Sequence, residues 1–139
     1  MAKKAAISVV QTIISTIHSE ERQDIVILII PSHDKHDKPL KDQDVWANAA
    51  MELFADLYTG ATAFETFQGI YKDSDGKIYR DKPILIETYV KREALADVEN
   101  LRKLVDFAKR MGRDARQKAV ALIVNDVFHT IDDFSPSNK

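Results

Sequence analysis

A short loop carries the densest group of potential ligands in the sequence. It reads Ser32-His33-Asp34-Lys35-His36-Asp37 and directly follows an apolar run. Imidazole and carboxylate groups are the usual ligands of zinc and manganese, and the end of a strand is a rigid platform for them. His33, Asp34, His36 and Asp37 are therefore candidate metal ligands or an acid–base pair, as in a metal-dependent hydrolase or nuclease.

The same loop also has a simpler interpretation. Lys35 and Lys38 are interleaved with the candidate ligands and add positive charge where a cation would bind. Polar loops of this composition are mostly solvated surface segments. The sequence leaves a metal site and a solvated loop both open.

Three further candidates lie inside apolar segments. Glu65 and Glu87 interrupt strand-like runs, where an ionised side chain costs free energy unless it is paired. If both lie on one face, burial and mutual repulsion raise one pKa, as a general acid requires. Glu65, Glu87 and Tyr89 are thus candidate catalytic residues of a small enzyme with a pocket over the sheet, with His33 nearby. The alternative is that both glutamates point outward and pair with lysine or arginine.

The charge and the aromatic residues disfavour nucleic acid as a partner. The chain has a formal charge of −2 and a pI near 6.1, which gives no general attraction to phosphate backbones. RNA-binding domains with a comparable order of strands and helices stack bases on aromatic side chains of their first and third strands. The first predicted strand, 24–30, has none.

The overall composition is that of a soluble globular protein. The 139 residues are 45% hydrophobic and 30% charged, and cysteine is absent, which excludes disulfides and thiolate metal sites. Ser8, Gln11 and Thr12 interrupt the apolar N-terminal stretch, and no small-residue cleavage site follows it. No window reaches the length of a membrane span. We therefore expect a cytoplasmic protein without membrane contact.

Hydrophobic periodicity predicts the elements that position these candidates. An amphipathic helix comes first, and a continuous apolar strand at 24–30 ends before Pro31. A helix that ends at Gly60 follows, and then a strand pair joined by the turn Asp73-Ser74-Asp75-Gly76, with an interruption expected at Pro83. The last elements are a helix over Arg92–Met111, ended by Gly112, and an apolar strand at 119–124.

This order predicts an α+β, ferredoxin-like β-α-β-β-α-β fold with an additional N-terminal amphipathic helix. The first and last strands are the most continuously apolar, so we place them in the centre of the sheet. We expect one domain over residues 1–131, with the extra helix in 1–20 and the ferredoxin-like core in 24–131. Residues 132–139 are predicted to form a flexible tail.

The predicted strand pair also carries a family-like pattern, in Gly60-Ala61-Thr62, Gly69-Ile70-Tyr71, Asp73, Gly76, Ile78, Arg80 and Asp81. The pattern resembles that of small uncharacterised bacterial ferredoxin-like domains. In those domains a Gly-x-Thr start leads through Gly-x-Trp or Gly-x-Tyr and a glycine turn to an Arg-acid pair. The resemblance implies the fold and a bacterial source, and it brings no settled activity or cofactor. The long charged loop at 32–44 and the N-terminal helix depart from it.

The amount of apolar surface provides the leading hypothesis for function. Six consecutive aliphatic residues at 25–30 predict a strand buried on both faces, yet two helices cover only one face. The N-terminal helix or a second subunit would have to cover the other. We therefore expect a non-enzymatic binding or assembly domain that acts as a homo-oligomer, most simply a dimer. The alternatives are the small enzyme or small-ligand binder with Glu65, Glu87 and Tyr89, and the metal-dependent hydrolase. No motif indicates a particular cofactor.

Overall fold

The computed structural model describes residues 2–17 and 21–136, with side chains from residue 8 onward. Its helices are α1 (Ala2–Ile14), α2 (Gln43–Tyr58), α3 (Arg92–Leu95) and α4 (Val98–Asp114). Its strands are β1 (Asp24–Ile30), β2 (Thr62–Glu65), β3 (Gly69–Lys72), β4 (Ile78–Asp81), β5 (Ile84–Val90), β6 (Val120–Val124) and β7 (Val127–Ile131).

Five of the strands form one antiparallel sheet in the order β2-β5-β1-β6-β7. Strands β1, β2, β5 and β6, with α2 and α4, make the β-α-β-β-α-β arrangement, which confirms the predicted ferredoxin-like α+β fold. β1 is central, as predicted. The last strand of the predicted fold, β6, lies next to β1. The returning strand of the predicted pair, β5, lies on the other side of β1 and is also an interior strand. β7 is an addition that turns back beside β6.

One face of this sheet is sealed by helices and the other is open. Val26, Leu28 and Ile30 alternate along β1 on the sealed face and are fully buried. They pack in a core with aromatic and aliphatic side chains from the helices, chiefly Phe54, Tyr58, Leu104 and Met111. The intervening residues Ile25, Ile27 and Ile29 are only half-buried. Within the described residues the expectation that β1 is buried on both faces is therefore wrong, since the helices cover one face and the other is half-exposed.

The helix boundaries differ from the predicted ones at three places, near Gly60, Asp97 and Gly112. The last residue of α2 is Tyr58, and the capping residue after it is Thr59. Thr59 takes the left-handed conformation (φ 72°) that was expected of Gly60. The predicted second helix is divided at Asp97, whose carboxylate accepts from the Glu99 and Asn100 amides and starts α4. Gly112 lies buried inside α4, where a Cβ would overlap the Phe134 ring. Gly112 is thus a packing glycine and does not end the helix.

The strand pair is broken where Pro83 predicts. β3 and β4 leave the main sheet and form a separate two-stranded hairpin. Thr66 Oγ1 donates to the Pro83 carbonyl at 2.7 Å and holds the two exits of the hairpin together. At the tip, Gly76 has φ 84° and the Asp73 carboxylate accepts from the Asp75 and Lys77 amides. The hairpin therefore has a defined position beside the sheet.

The two ends of the described chain behave differently. The described side chains of α1, from residue 8 onward, are all exposed, and the predicted helix residues 18–20 lie outside the described part. Near the C-terminus, Phe134 packs on the core and its carbonyl accepts from Arg113. The predicted flexible tail is thus attached to α4 at this point, and residues 137–139 lie outside the described part. Within the described residues, no helix is long and apolar enough to cross a membrane.

Candidate functional site

The open face of the sheet is defined by strand register. Three rows of neighbouring side chains cross it: Phe64, Leu85, Ile29, Ala121 and Thr130; then Thr62, Glu87, Ile27, Ile123 and Phe128; then Tyr89 and Ile25. Residues paired across antiparallel strands share a face, so these positions form one surface. Glu87 is the only charged side chain among them.

A cleft of about 480 Å³ lies over one end of this face. Its floor is formed by open-face residues, including Ile29, Ala121 and Phe128. The β3–β4 hairpin supplies Tyr71 and Tyr79 to its lining, and the loop after β1 supplies charged residues. Such a volume and such a mixture of apolar and polar groups are typical of small-molecule sites. We call this feature the hairpin cleft.

Two tyrosines form the aromatic part of the hairpin cleft. Tyr71 and Tyr79 face each other across the hairpin and stack with ring centroids 4.8 Å apart at an interplanar angle of 9°. Burial raises the pKa of Tyr71 above its ordinary value, and nearby Tyr79, Asp81 and Asp37 act in the same direction. Its phenol is therefore a neutral hydrogen-bond donor at physiological pH. The pair offers a flat apolar surface with polar ends.

Asp81 is the carboxyl group of the cleft with an unusual environment. Burial raises its pKa above the ordinary value, the electrostatic interaction with His33 opposes this, and that with Asp37 adds to it. Asp81 lies at the last position of β4 and opposite Gly69, where a Cβ would overlap the Asp81 carboxylate. Gly69 thus leaves room for this carboxyl group beside the cleft.

His33 reaches the cleft from the loop after β1. Its Nδ1 lies 2.8 Å from Ser32 Oγ, which in turn accepts from the Lys82 amide at 2.8 Å. The His33 carbonyl accepts from Gln117 Nε2 at 2.8 Å. These contacts connect the loop to the hairpin on one side and to the segment after α4 on the other, so they fix the ring at the cleft.

Asp34 is buried and accepts several hydrogen bonds. Its side chain is 1% exposed, and its carboxylate accepts from the amides of His36 (2.8 Å) and Lys38 (3.1 Å) and from Arg116 Nη2 (3.1 Å). Burial acts to raise its pKa, but these donors outweigh it and hold the pKa below the ordinary value. The carboxylate therefore stabilises the conformation of the loop through these hydrogen bonds.

The predicted ligands do not come together as a metal site in this structure. His36 and Asp37 are exposed, and Asp37 takes the left-handed conformation (φ 61°). Among the described residues, no three histidine, cysteine, aspartate or glutamate side chains are grouped so that they could hold a metal ion. His33 and Asp37 line the cleft as separate polar groups.

The predicted carboxylate pair lies on two faces. Glu87 and Tyr89 share the open face, and Glu87 is half-buried there beside Thr62 and Ile27. Glu65 pairs with Ile84, whose side chain belongs to the sealed face, so Glu65 points away from the other two. A pocket over the sheet does exist, as the enzyme alternative expects, and His33 lines it. The side chains of Glu65, Glu87 and Tyr89 do not line this pocket.

Sequence reasoning did not identify Tyr71, Tyr79 and Asp81 as site residues. Tyr71 and Asp81 appear in the family-like pattern, but only as marks of the fold. A usable signal existed, because Tyr71 and Tyr79 are equally distant from Asp75 and pair across a hairpin that is centred on that residue. The sequence pattern does not reveal that the hairpin lies over the sheet.

The comparisons with known proteins agree with the fold. No family model matches the chain, and no curated protein is significantly similar to it. A phage SAM lyase in its apo state has a TM-score of 0.61 at 14% identity, covering 83% of this chain and 95% of that chain. The phage SAM lyase in complex with S-methyl-5′-thioadenosine has a TM-score of 0.59 at 13% identity, covering 82% and 95%. At these identities the likeness shows a shared fold.

A weaker likeness links the chain to the divalent ion tolerance protein CutA1 from Ehrlichia chaffeensis. Its TM-score is 0.47 at 12% identity, and the match covers 78% of this chain and 84% of that chain.

Proposed function

We propose that this chain is a homo-oligomeric domain that binds a small nucleoside-type ligand in the hairpin cleft. The observation that carries the proposal is the cleft itself, which combines an apolar floor, a stacked tyrosine pair and a carboxyl group in a partly buried setting. Pockets with mostly apolar walls and a few convergent polar groups are the usual sites of small ligands.

The chemistry of the lining favours an aromatic ligand with polar substituents. A purine ring can lie on the apolar floor of Ile29 and Ala121 and against the exposed edge of the tyrosine pair. Carboxyl groups of Asp37 and Asp81 suit ribose hydroxyls or a cationic centre. The bound molecule named for the phage SAM lyase, S-methyl-5′-thioadenosine, combines these features, and so does S-adenosylmethionine.

Calorimetric titration tests this proposal. S-methyl-5′-thioadenosine, S-adenosylmethionine and inosine are titrated into the wild-type chain and into Tyr71→Ala. We expect one of the adenosine compounds to bind more tightly than inosine, and Tyr71→Ala to lose about 1–3 kcal/mol of binding free energy. Tyr89→Ala is the matched control, because Tyr89 is exposed on the same face but outside the cleft. Equal losses in both variants, or no binding, would contradict the proposal.

The homo-oligomer is supported by the remainder of the open face. Ile25, Ile27 and Ile123 form an apolar strip that the described part of the chain leaves half-exposed. Contiguous apolar surface of this kind usually marks an interaction site, and a symmetric copy is the commonest partner. Native mass spectrometry of untagged protein measures this directly. A monomer at micromolar concentration would count against assembly and leave ligand binding as a separate question.

Glu87 favours an enzyme as a second candidate. Its carboxylate lies half-buried in the middle of an apolar face, in the row next to the cleft floor. A carboxylate in such a place can stabilise a sulfonium or accept a proton from a bound ligand. The test is incubation with S-adenosylmethionine and mass-spectrometric detection of S-methyl-5′-thioadenosine. Product formation that is lost in Glu87→Gln and kept in Glu65→Gln, on the opposite face, would establish the activity.

A further inference from the structure

The N-terminal helix presents an apolar stripe that the described part of the chain leaves uncovered. Val9, Val10, Ile13, Ile14 and Ile17 lie along one side of α1 and its last turn, and each is between 50% and 59% exposed. Ser8, Gln11 and Ser15 occupy the opposite side. A helix with such a stripe is stable in water only when the stripe is packed against another apolar surface.

The part of the open face beyond the hairpin cleft is a matching surface. It contains the half-buried Ile25, Ile27 and Ile123 and the exposed Tyr89. At 1.5 Å per residue the helix is roughly 20 Å long, and the five strands at their usual spacing span roughly 19 Å. One helix can therefore cross the sheet from edge to edge.

Charge and buried area both fit a helix from a second copy on this face. Residues 2–17 contain Lys3 and Lys4 and no acidic residue, whereas Glu87 is the only charged side chain among the open-face strand positions. The open face alone covers roughly 440 Å², well below the roughly 800 Å² per partner of a standard interface. A reciprocal exchange adds the stripe of each helix, roughly 200 Å² more per copy, which brings the buried area closer to that of a standard interface without reaching it.

We propose that α1 of one copy packs across the open face of a second copy, and that the exchange is mutual. The inference rests on the proposed homo-oligomer and specifies how it is built. The N-terminal helix then serves as an assembly element that covers the sheet and encloses Glu87 beside the hairpin cleft.

Paired charge substitutions on the two sides of α1 test the exchange in the full chain. Ile13→Glu/Ile14→Glu places two carboxylates on the stripe, and Gln11→Glu/Ser15→Glu places the same charges on the polar side. Native mass spectrometry is expected to show at least about a tenfold loss of the association constant for the first variant only, which is at least about 1.4 kcal/mol. If both variants keep the wild-type oligomer, the inference fails while the homo-oligomer stands. If the wild type is a monomer, both fail.

Cross-linking distinguishes exchange between copies from packing within one chain. Because the chain contains no cysteine, Ile14→Cys and Tyr89→Cys introduce single thiols. Mixing the two variants under mild oxidation is expected to give a disulfide-linked pair of chains, and replacing Ile14→Cys by Ser15→Cys is expected to reduce it. A double variant that forms only an intrachain disulfide would show that α1 covers its own sheet, and would overturn the inference. Ligand titration of the same variants reports on the cleft independently.

Discussion

The Asp34 carboxylate remains charged in a buried position because three donors surround it. Two are backbone amides of its own loop, and the third is the guanidinium of Arg116, just after α4. The backbone carbonyl of Arg116 also accepts a hydrogen bond from the Lys35 amide at 2.9 Å. Since His33 precedes Asp34, these bonds also determine where the imidazole meets the cleft.

The pH dependence of stability tests this role. A carboxyl group whose folded pKa is lowered contributes stability above its unfolded value of 3.8, and this contribution is lost as pH falls through the folded pKa. We expect Asp34→Asn to reduce the free energy of unfolding at neutral pH. The difference from the wild type should shrink as pH drops from about 5 through the folded pKa of Asp34 in urea unfolding. A difference independent of pH would show that the charge of Asp34 does not contribute.

Asp81 provides a second prediction at the residue scale. Burial is the main cause of its raised pKa, and the charge of Asp37 contributes in the same direction. In Asp37→Asn we expect the pKa of Asp81 to fall toward 3.8, as followed by carboxyl carbon chemical shifts in an NMR titration. Asp75→Asn, in the hairpin turn, is the control and should leave it unchanged. An unchanged value in Asp37→Asn would mean that the two groups do not interact.

At the scale of elements, the hairpin converts a flat sheet face into a cleft. It is a two-stranded unit, and isolated hairpins are only marginally stable, so it depends on its anchors. Gln43 Nε2 donates to the Lys82 carbonyl at 2.9 Å, and Ser32 Oγ accepts from the Lys82 amide. The hairpin is thus attached to α2 and to the loop after β1, which places its tyrosines over the floor.

Gly76→Ala tests whether hairpin order supports ligand binding. A Cβ at this position meets only Lys72 Cε at an ordinary 3.9 Å, so the penalty is the positive φ of 84°, about 1 kcal/mol. We expect faster amide exchange in β3 and β4, little change in the main sheet, and weaker binding of the cleft ligand by at most about fivefold. Gly60→Ala is the control, because nothing lies within 4 Å of its Cβ. Equal effects of the two substitutions would contradict the prediction.

At the scale of the whole molecule, neighbouring residues of β1 lie on opposite faces of the sheet and stabilise different contacts. Leu28 is fully buried under the helices, whereas Ile27 is half-buried on the open face. The helical face holds the single chain together through the hydrophobic effect. The other face becomes sealed only in the proposed assembly, so the two faces should respond differently to protein concentration.

Alanine substitutions at the two neighbours test this division. Leu28→Ala should lower the free energy of unfolding by about 2–5 kcal/mol at every protein concentration, because it leaves a cavity in the core. Ile27→Ala should cost less at low concentration, and its effect should grow as concentration rises and the wild type assembles. Chemical unfolding at two protein concentrations measures both. Parallel behaviour of the variants would contradict an interface on the open face.

Much of the fold was predictable because its signals are local. The aliphatic run of β1, the stripes of α2 and α4 and the turn at Gly76 each depend on neighbours in sequence. The interruption at Pro83 follows from the missing amide of proline. These elements in this order admit few arrangements, so the ferredoxin-like class followed from the amino-acid sequence.

The candidate site was decided by tertiary structure. Whether Glu65 and Glu87 share a face depends on register across a break, and no local pattern fixes register there. Asp34 became a structural residue because Arg116, far along the chain, comes close in space. Tyr71 and Tyr79 line the hairpin cleft only because the hairpin folds over β1 and β6. The sequence alone determined the elements and their order, whereas long-range packing determined which side chains meet, since those contacts join segments that are distant in the chain.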